Sequence, residues 1–93
     1  MEIKCFEENA KIFKALSDVN RLKIIDILSS EELCACQILP EFDFTQPTLS
    51  HHMKILIDSG LVIASKKGTW NYYKLNIENI KKLENFAHNL FDK

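Results

Sequence analysis

At 93 residues, 46% hydrophobic and 27% charged, the chain is sized for one small packed core: too short for a large catalytic fold and too apolar for a disordered polymer. It has no apolar run near the roughly 18 residues of a membrane-spanning helix and no basic-then-apolar leader. A single domain over residues 1–93, cytoplasmic and without a membrane partner, is therefore expected. The net charge of −1 hides an uneven distribution: five basic against nine acidic side chains from Met1 to Asp43, then four lysines against Asp58 alone from Phe44 to Leu75. That basic middle third is where an acidic partner such as nucleic acid is to be sought.

From Ile3 to Leu16 the apolar residues Ile3, Phe6, Ala10, Phe13 and Leu16 recur every three or four positions, the stripe of an amphipathic helix. Ser17 or Asp18 supplies a cap for a second helix with Leu22, Ile25 and Leu28 on one face, widened by Ile24 and Ile27. A short third helix is expected over about Leu33 to Leu39, ended by Pro40, which disfavours helical geometry in the residue before it. Thr45 is placed to cap a fourth, with Pro47 tolerated in its first turn and Gly60 able to take the left-handed conformation after its last. Leu49, Met53 and Leu56 form its inward stripe. The runs Leu61 to Ser65 and Trp70 to Leu75, rich in β-branched and aromatic residues, flank Lys66-Lys67-Gly68-Thr69 and predict a β-hairpin with a basic tip. A final helix carries Ile77, Ile80, Leu83, Phe86, Leu90 and Phe91.

This order predicts a mainly α (α+β) winged helix-turn-helix with a two-stranded β-wing. In such a fold the second helix of the pair fits the DNA major groove and shows its exposed side chains to base edges. Gln46, Thr48, Ser50 and His51 fall outside the inward stripe on the first two turns of the fourth helix, with no carboxylate among them to repel phosphate. Gln can pair in two-pronged fashion with adenine. Lys54, with Lys66 and Lys67 on the wing, would add salt-dependent attraction to phosphates. Thr48 and Ser50 could equally act as local caps, and His52 on the flank could pack. The terminal helices carry more apolar surface than so small a core easily covers, so they are expected to dimerise. A two-fold homodimer would set two reading helices on successive turns of a palindromic double-stranded site. The alternative is that both helices fold back on the monomer's own core.

Cys34 and Cys36 are a chemically soft pair. Thiolates favour arsenite, antimonite, cadmium, lead and zinc, whereas calcium and magnesium want oxygen. Two positions apart on a regular helix they point to nearly opposite sides, so gripping one ion requires this stretch to be frayed or unwound. Ligation would then strain the start of the third helix, which buttresses the fourth. Cys5, on the first helix, is the only other thiol; a free cysteine also packs well as a small hydrophobe. In a reducing compartment, ligation or burial is expected ahead of a disulfide. Ser50 beside His51 is not a catalytic pair, because neighbours on a helix diverge and no orienting acid accompanies them. No enzyme activity is expected.

In order and at matching spacing, Leu16-Ser17-Asp18, Arg21-Leu22-Lys23-Ile24-Ile25, Glu32-Leu33-Cys34-Ala35-Cys36, the run Gln46 to Leu56, Gly60-Leu61-Val62 and Tyr72-Tyr73-Lys74-Leu75 resemble the ArsR/SmtB family of metal-sensing repressors over nearly the whole chain. The resemblance implies a homodimeric winged-helix repressor that leaves its operator when a metal or metalloid ion binds. It makes Gln46, Thr48, Ser50 and His51 recognition residues and Lys66 to Thr69 the wing. The family's arsenic-sensing branch has a further cysteine three residues after the second, where this chain has Leu39. Its cadmium- and lead-sensing branch borrows N-terminal cysteines from the opposite subunit, which implies a site of Cys34 and Cys36 from one chain with Cys5 from the other. Three sulfurs without a fourth protein ligand suit pyramidal As(III) or Sb(III) better than tetrahedral zinc. Cd(II) or Pb(II) would be served if water or a carboxylate such as Glu8 joined. The family's other sensing site, on the last helix, would here offer only Glu78 and His88, with Asn76 and Asn89 where stronger ligands are wanted, so no zinc site is expected there. Two further readings stay open: a winged helix responding to thiol oxidation, which needs accessible low-pKa thiols, and a protein-interaction module indifferent to its basic wing.

Overall fold

The N-terminal periodicity becomes helix α1 (Ile3–Leu16), and the chain turns at once into α2 (Val19–Leu28), in a computed structural model that describes residues 3–92. Asp18 is the N-cap of α2: its carboxylate accepts from the backbone N–H of Asn20 (2.8 Å) and Arg21 (3.2 Å), donors that the first helical turn leaves unpaired. Ser17, the other candidate, donates its hydroxyl to the Lys14 carbonyl. The buried face of α2 is centred on Ile24 and Leu28, flanked by Ile25 and Ile27, while Leu22 is exposed. Because α2 is apolar nearly all round, packing against the rest of the core chooses the face, and periodicity alone pointed one position away.

The main departure from expectation is at the third helix. Leu33–Cys34 form a short strand β1, α3 spans only Ala35–Ile38, and a 3-10 turn continues over Leu39–Glu41 with Pro40 inside it. Proline forfeits no hydrogen bond at the start of a helical turn, so Pro40 opens the 3-10 turn instead of ending the helix before it. Phe42 and Phe44 then stack at 4.7 Å with rings 10° from parallel and pack on the core, which fixes the connection into α4 (Gln46–Asp58). Thr45 occupies the N-cap position, but its hydroxyl meets that of Thr48 (3.3 Å) and does not cap the backbone. Leu49, Met53 and Leu56 are buried as expected, joined by His52. The helix ends at Gly60, with φ +85° and the paired bonds of a left-handed glycine cap: Gly60 N–H to Ile57 O (2.9 Å) and Leu61 N–H to Leu56 O (3.2 Å).

Strands β2 (Val62–Lys67) and β3 (Trp70–Leu75) pair antiparallel with Lys67 opposite Trp70. Lys66 and Lys67 are therefore strand residues, and the tip shrinks to Gly68 and Thr69. Gly68 takes φ +65°, as the first central position of a two-residue hairpin turn requires. The expected two-stranded wing is present, and Leu33 pairing with Tyr73 and Cys34 with Tyr72 adds a third strand to its sheet, in the order β1-β3-β2. The open edge of β3 has backbone groups to satisfy, and the two buried residues of β1 satisfy them.

Asn76 caps α5 (Ile77–Phe91) by accepting from the Asn79 N–H (3.2 Å). The helix meets α1 through Phe86, which is buried edge-on to Phe6 (5.8 Å) and against Phe13 (6.2 Å). Ile80 and Leu83 pack on a core that includes Ile24, Leu28, Ile38, Leu49, Met53 and Leu56. The terminal stripes are thus only half used, and Ile3, Phe6, Phe13, Ile77 and Phe91 stay exposed. The radius of gyration is 14.1 Å, against about 12 Å for a compact chain of this length. No helix among the described residues is long and apolar enough to cross a membrane.

Candidate nucleic-acid interface and thiol site

With Leu49, Met53 and Leu56 turned inward, α4 presents its other side to solvent: Gln46, Ser50, His51 and Lys54 are exposed and Thr48 is half-buried. Lys54 pairs with Asp58 one turn on (3.1 Å), both side chains well exposed. Such an exposed pair contributes little to stability. On the wing, Lys66 is exposed, whereas Lys67 is tied down. Its ammonium lies 2.6 Å from Glu32 Oε1 and 4.7 Å above the Tyr72 ring, and the Glu32 carboxylate raises its pKa. Sequence reasoning missed Glu32 as a partner of the wing. It also passed over Trp70, which is 56% exposed at the start of β3 and whose size alone was the available signal.

Behind this face, α4 is fastened to α2. Arg21 Nη1 lies 3.2 Å from Nδ1 of the buried His52, Arg21 Nε donates to the Ala15 carbonyl (2.6 Å), and Phe44 covers the imidazole at 5.3 Å. Arginine keeps its protons, so Nδ1 is the acceptor and the ring is neutral. Burial lowers the His52 pKa; the Asp18 charge opposes that shift and the Arg21 charge adds to it.

The thiol pair owes its geometry to the split third helix. Cys34 is the N-cap of α3 in extended conformation (φ −73°, ψ 151°). Its Sγ accepts from the Cys36 N–H (3.3 Å) while its own N–H donates to Gln37 Oε1 (2.8 Å), a capping box with sulfur in place of a hydroxyl. Because the helix starts between the two cysteines, the Cys34 sulfur reaches over the Cys36 backbone N–H at the same end of α3. A polar contact with the Cys34 side chain is the first cause of a raised Cys36 pKa, and burial the second. The expectation that both sulfurs can share an ion only where this stretch is frayed or unwound is met by the break, with Cys34 extended and α3 beginning after it. Cys34 is 2% exposed and Cys36 lies open. Cys36 also borders a groove of about 270 Å³, lined by Ala35, Leu39, Gln46, Leu49, Thr69, Trp70 and Asn71. Cys36 therefore sits between the start of α4 and the wing tip. The expected buttress is correspondingly shared: α3 packs on β1 and β3 and meets α4 across this groove.

The donor set fits a soft, thiophilic ion. Among the described residues, no three His, Cys, Asp or Glu side chains converge to hold a metal, so one chain does not supply the closed tetrahedral set of a structural zinc. Cys5 stands apart, half-buried on α1 with its Sγ 3.5 Å from the Asn9 amide, in a cleft of about 630 Å³ shared with α5. On α5, Glu78 pairs with Lys82 (3.6 Å) and His88 with Asp92 (3.3 Å).

Residues 18–64, from the cap of α2 into β2, match the family described as "Bacterial regulatory protein, arsR family". The chain belongs to the ArsR family. Over 73 residues it is 53% identical to the arsenical resistance operon repressor of Staphylococcus xylosus, covering 78% of this chain and 70% of that protein. Over 75 residues it is 43% identical to a cadmium resistance transcriptional regulatory protein homolog of Staphylococcus aureus, covering 80% and 62%. The fold is similar, at TM-score 0.76 and 29% identity, to the solution structure of a homodimeric winged helix-turn-helix DNA-binding domain from Mycobacterium bovis, a possible ArsR-family regulator, covering 94% of this chain and 81% of that one. This ArsR-family chain is a winged-helix, DNA-binding transcriptional regulator and not an enzyme.

Proposed function

We propose that this ArsR-family protein is a homodimeric cytoplasmic repressor, one winged-helix domain over residues 1–93. It leaves a palindromic operator when As(III) or Sb(III), or alternatively Cd(II) or Pb(II), is captured by Cys34 and Cys36 with Cys5 supplied by the partner subunit. Gln46, Thr48, Ser50 and His51 read base edges, and Lys54, Lys66 and Lys67 neutralise phosphates. The observation that carries the reading is the adjacency of two thiols at a helix cap that is also a strand of the wing sheet. The arsenical and cadmium resistance regulators among its relatives support the choice of ions.

The same placement gives capture a short route to DNA. Ligation competes with the Cys36 N–H for the Cys34 sulfur and pulls on β1, which is paired to β3. Glu32, next to that strand, holds Lys67, so displacement of β1 reaches a phosphate-facing lysine directly. A thiol-oxidation switch is the weaker reading, because a redox sensor needs a lowered thiol pKa and the exposed Cys36 has a raised one.

The test is operator binding by fluorescence anisotropy, for the wild type and for Cys5→Ser, Cys34→Ser and Cys36→Ser, with each ion and with peroxide. Serine is a good N-cap, so Cys34→Ser removes the sulfur and keeps the helix start. Wild-type affinity is expected to fall steeply with salt. It should fall a further roughly 5- to 150-fold with a thiophilic ion, the usual span of coupling between two sites. Cys34→Ser and Cys36→Ser should lose that second fall. Release by peroxide with every ion inert would hand the function to the redox reading.

A further inference from the structure

We propose, resting on the reading of α4 as the DNA-reading helix, that Arg21 and His52 are positioning residues that lock that helix. A neutral His52, accepting from Arg21, sets the rotation at which α4 shows Gln46, Ser50 and His51 to the operator, and a proton on the imidazole releases the DNA with no thiophilic ion bound. Three observations converge on it. Arg21 Nη1 lies 3.2 Å from His52 Nδ1 and 4.0 Å from Asp18 Oδ2, so the guanidinium bridges the cap of α2 and the inward face of α4. Its Nε donates at 2.6 Å to the carbonyl of Ala15, near the end of α1, which keeps the fork from swinging away. His52 is buried on the same face as Leu49, Met53 and Leu56, and it follows the exposed Ser50 and His51 directly in the chain.

Helices α2 and α4 also share an apolar core, with Ile24 and Leu28 beside Leu49, Met53 and Leu56. Burial of that kind is non-directional and tolerates a small rotation, whereas a hydrogen bond weakens steeply as it bends. The Arg21–His52 bond is therefore what selects one rotation of α4. Because the same guanidinium holds an α1 carbonyl, that rotation is set relative to α1. Protonation reverses the contact. Arginine offers donors only, and a protonated imidazole has no acceptor left, so two cations would face each other at 3.2 Å. The groups facing the ring are Arg21 and Asp18 at the start of α2, His51 on α4 with its ring 6.0 Å away, and the uncharged Phe44 before α4 at 5.3 Å. Asp18 is the one carboxylate of these, and its Oδ1 already accepts from the Asn20 and Arg21 N–H groups. Burial, Arg21 and His51 all oppose a charge on the ring. The proton is accommodated by parting His52 from Arg21, and that turns α4.

The experiment uses the wild-type full chain to select a duplex from a random-sequence pool at neutral pH. Binding of that duplex is then followed by fluorescence anisotropy down to about pH 5.5, through the range in which histidine titrates, at fixed ionic strength with chelator and reductant present. Wild-type affinity is expected to fall about fivefold or more, within the usual span of coupling between two sites, while helix content by circular dichroism stays constant. His52→Leu fills similar space without an acceptor and should bind weakly at every pH. His52→Gln, whose amide oxygen can accept from Arg21, should recover most of that loss at neutral pH and show a flat profile, a rescue that space-filling alone would not give. His51→Gln should keep the wild-type fall, which separates the buried imidazole from the exposed one. A fall of equal size in wild type and His52→Gln would overturn the proton step, and so would helix loss in step with release. Wild-type binding by His52→Leu would overturn the lock; should that variant not fold, the comparison of wild type with His52→Gln decides alone. Failure of the wild type to select any duplex would sink the reading of α4 itself, and the proposed function with it.

Discussion

Lys67 illustrates how one side chain acquires a double life. It belongs to the basic wing, yet its ammonium is held 2.6 Å from Glu32, on the segment that leads into the thiol pair. Removing the carboxylate frees the cation: Glu32→Gln is expected to raise operator affinity and steepen the slope of log affinity against log salt by about one phosphate contact. Anisotropy titrations over a range of salt check both, and an unchanged slope would mean that Lys67 never reaches the DNA. Gly60 makes a different kind of demand. Its φ is +85°, and a Cβ there would lie 2.9 Å from Asn79 Nδ2, which donates to the Gly60 carbonyl. Gly60→Ala should therefore cost about 1–3 kcal/mol in urea unfolding, from backbone strain plus displacement of Asn79. The glycine was legible in the sequence because a local backbone geometry required it, as was the Asp18 cap. The Glu32–Lys67 pair was not, since it joins residues 35 apart in sequence and depends on the register of β1 against β3.

At the scale of elements, the long periodic helices α1, α4 and α5 and the hairpin were readable from spacing, whereas the segment from Leu33 to Glu41 was not. Its helix-like composition is overridden by sheet pairing at one end and by a proline-tolerant 3-10 turn at the other, both tertiary or local choices that no period reveals. The α2–α4 joint was equally hidden, and it sets a pH response. His52 is neutral in the fold, with its pKa lowered from 6.5 chiefly by burial. Below 6.5 the unfolded chain therefore binds a proton that the folded chain resists, and stability falls as pH drops from there toward the folded value. Asp18, lowered from 3.8 chiefly by its hydrogen bond to the Arg21 N–H, adds a loss of the same sign at lower pH. Urea midpoints between about pH 5 and 7 should decline in the wild type and decline less in His52→Gln, whose amide oxygen can still accept from Arg21. Parallel declines in the two proteins would show that another group governs this window.

The described chain leaves part of the apolar surface of its terminal helices uncovered. Phe86 is buried between Phe6 and Phe13 of α1, so part of each terminal stripe does fold onto its own chain. The remainder faces outward, with Ile3 76% and Phe91 82% exposed. These two side chains separate the alternatives cleanly, because the monomer fold gains almost nothing from them, whereas a two-fold partner would bury them. In sedimentation the wild type is expected at twice the chain mass. Ile3→Glu/Phe91→Glu should sediment as a monomer whose circular dichroism is unchanged. Its operator affinity should fall by roughly two orders of magnitude or more, because the second half-site loses the effective concentration that tethering provides. Arsenite binding should weaken in the same variant, since the third sulfur leaves with the partner subunit. A double variant that stays dimeric would place the interface on another face and remove Cys5 from the site. A variant that becomes monomeric yet binds arsenite as the wild type does would leave the dimer in place and make Cys34 and Cys36 sufficient by themselves.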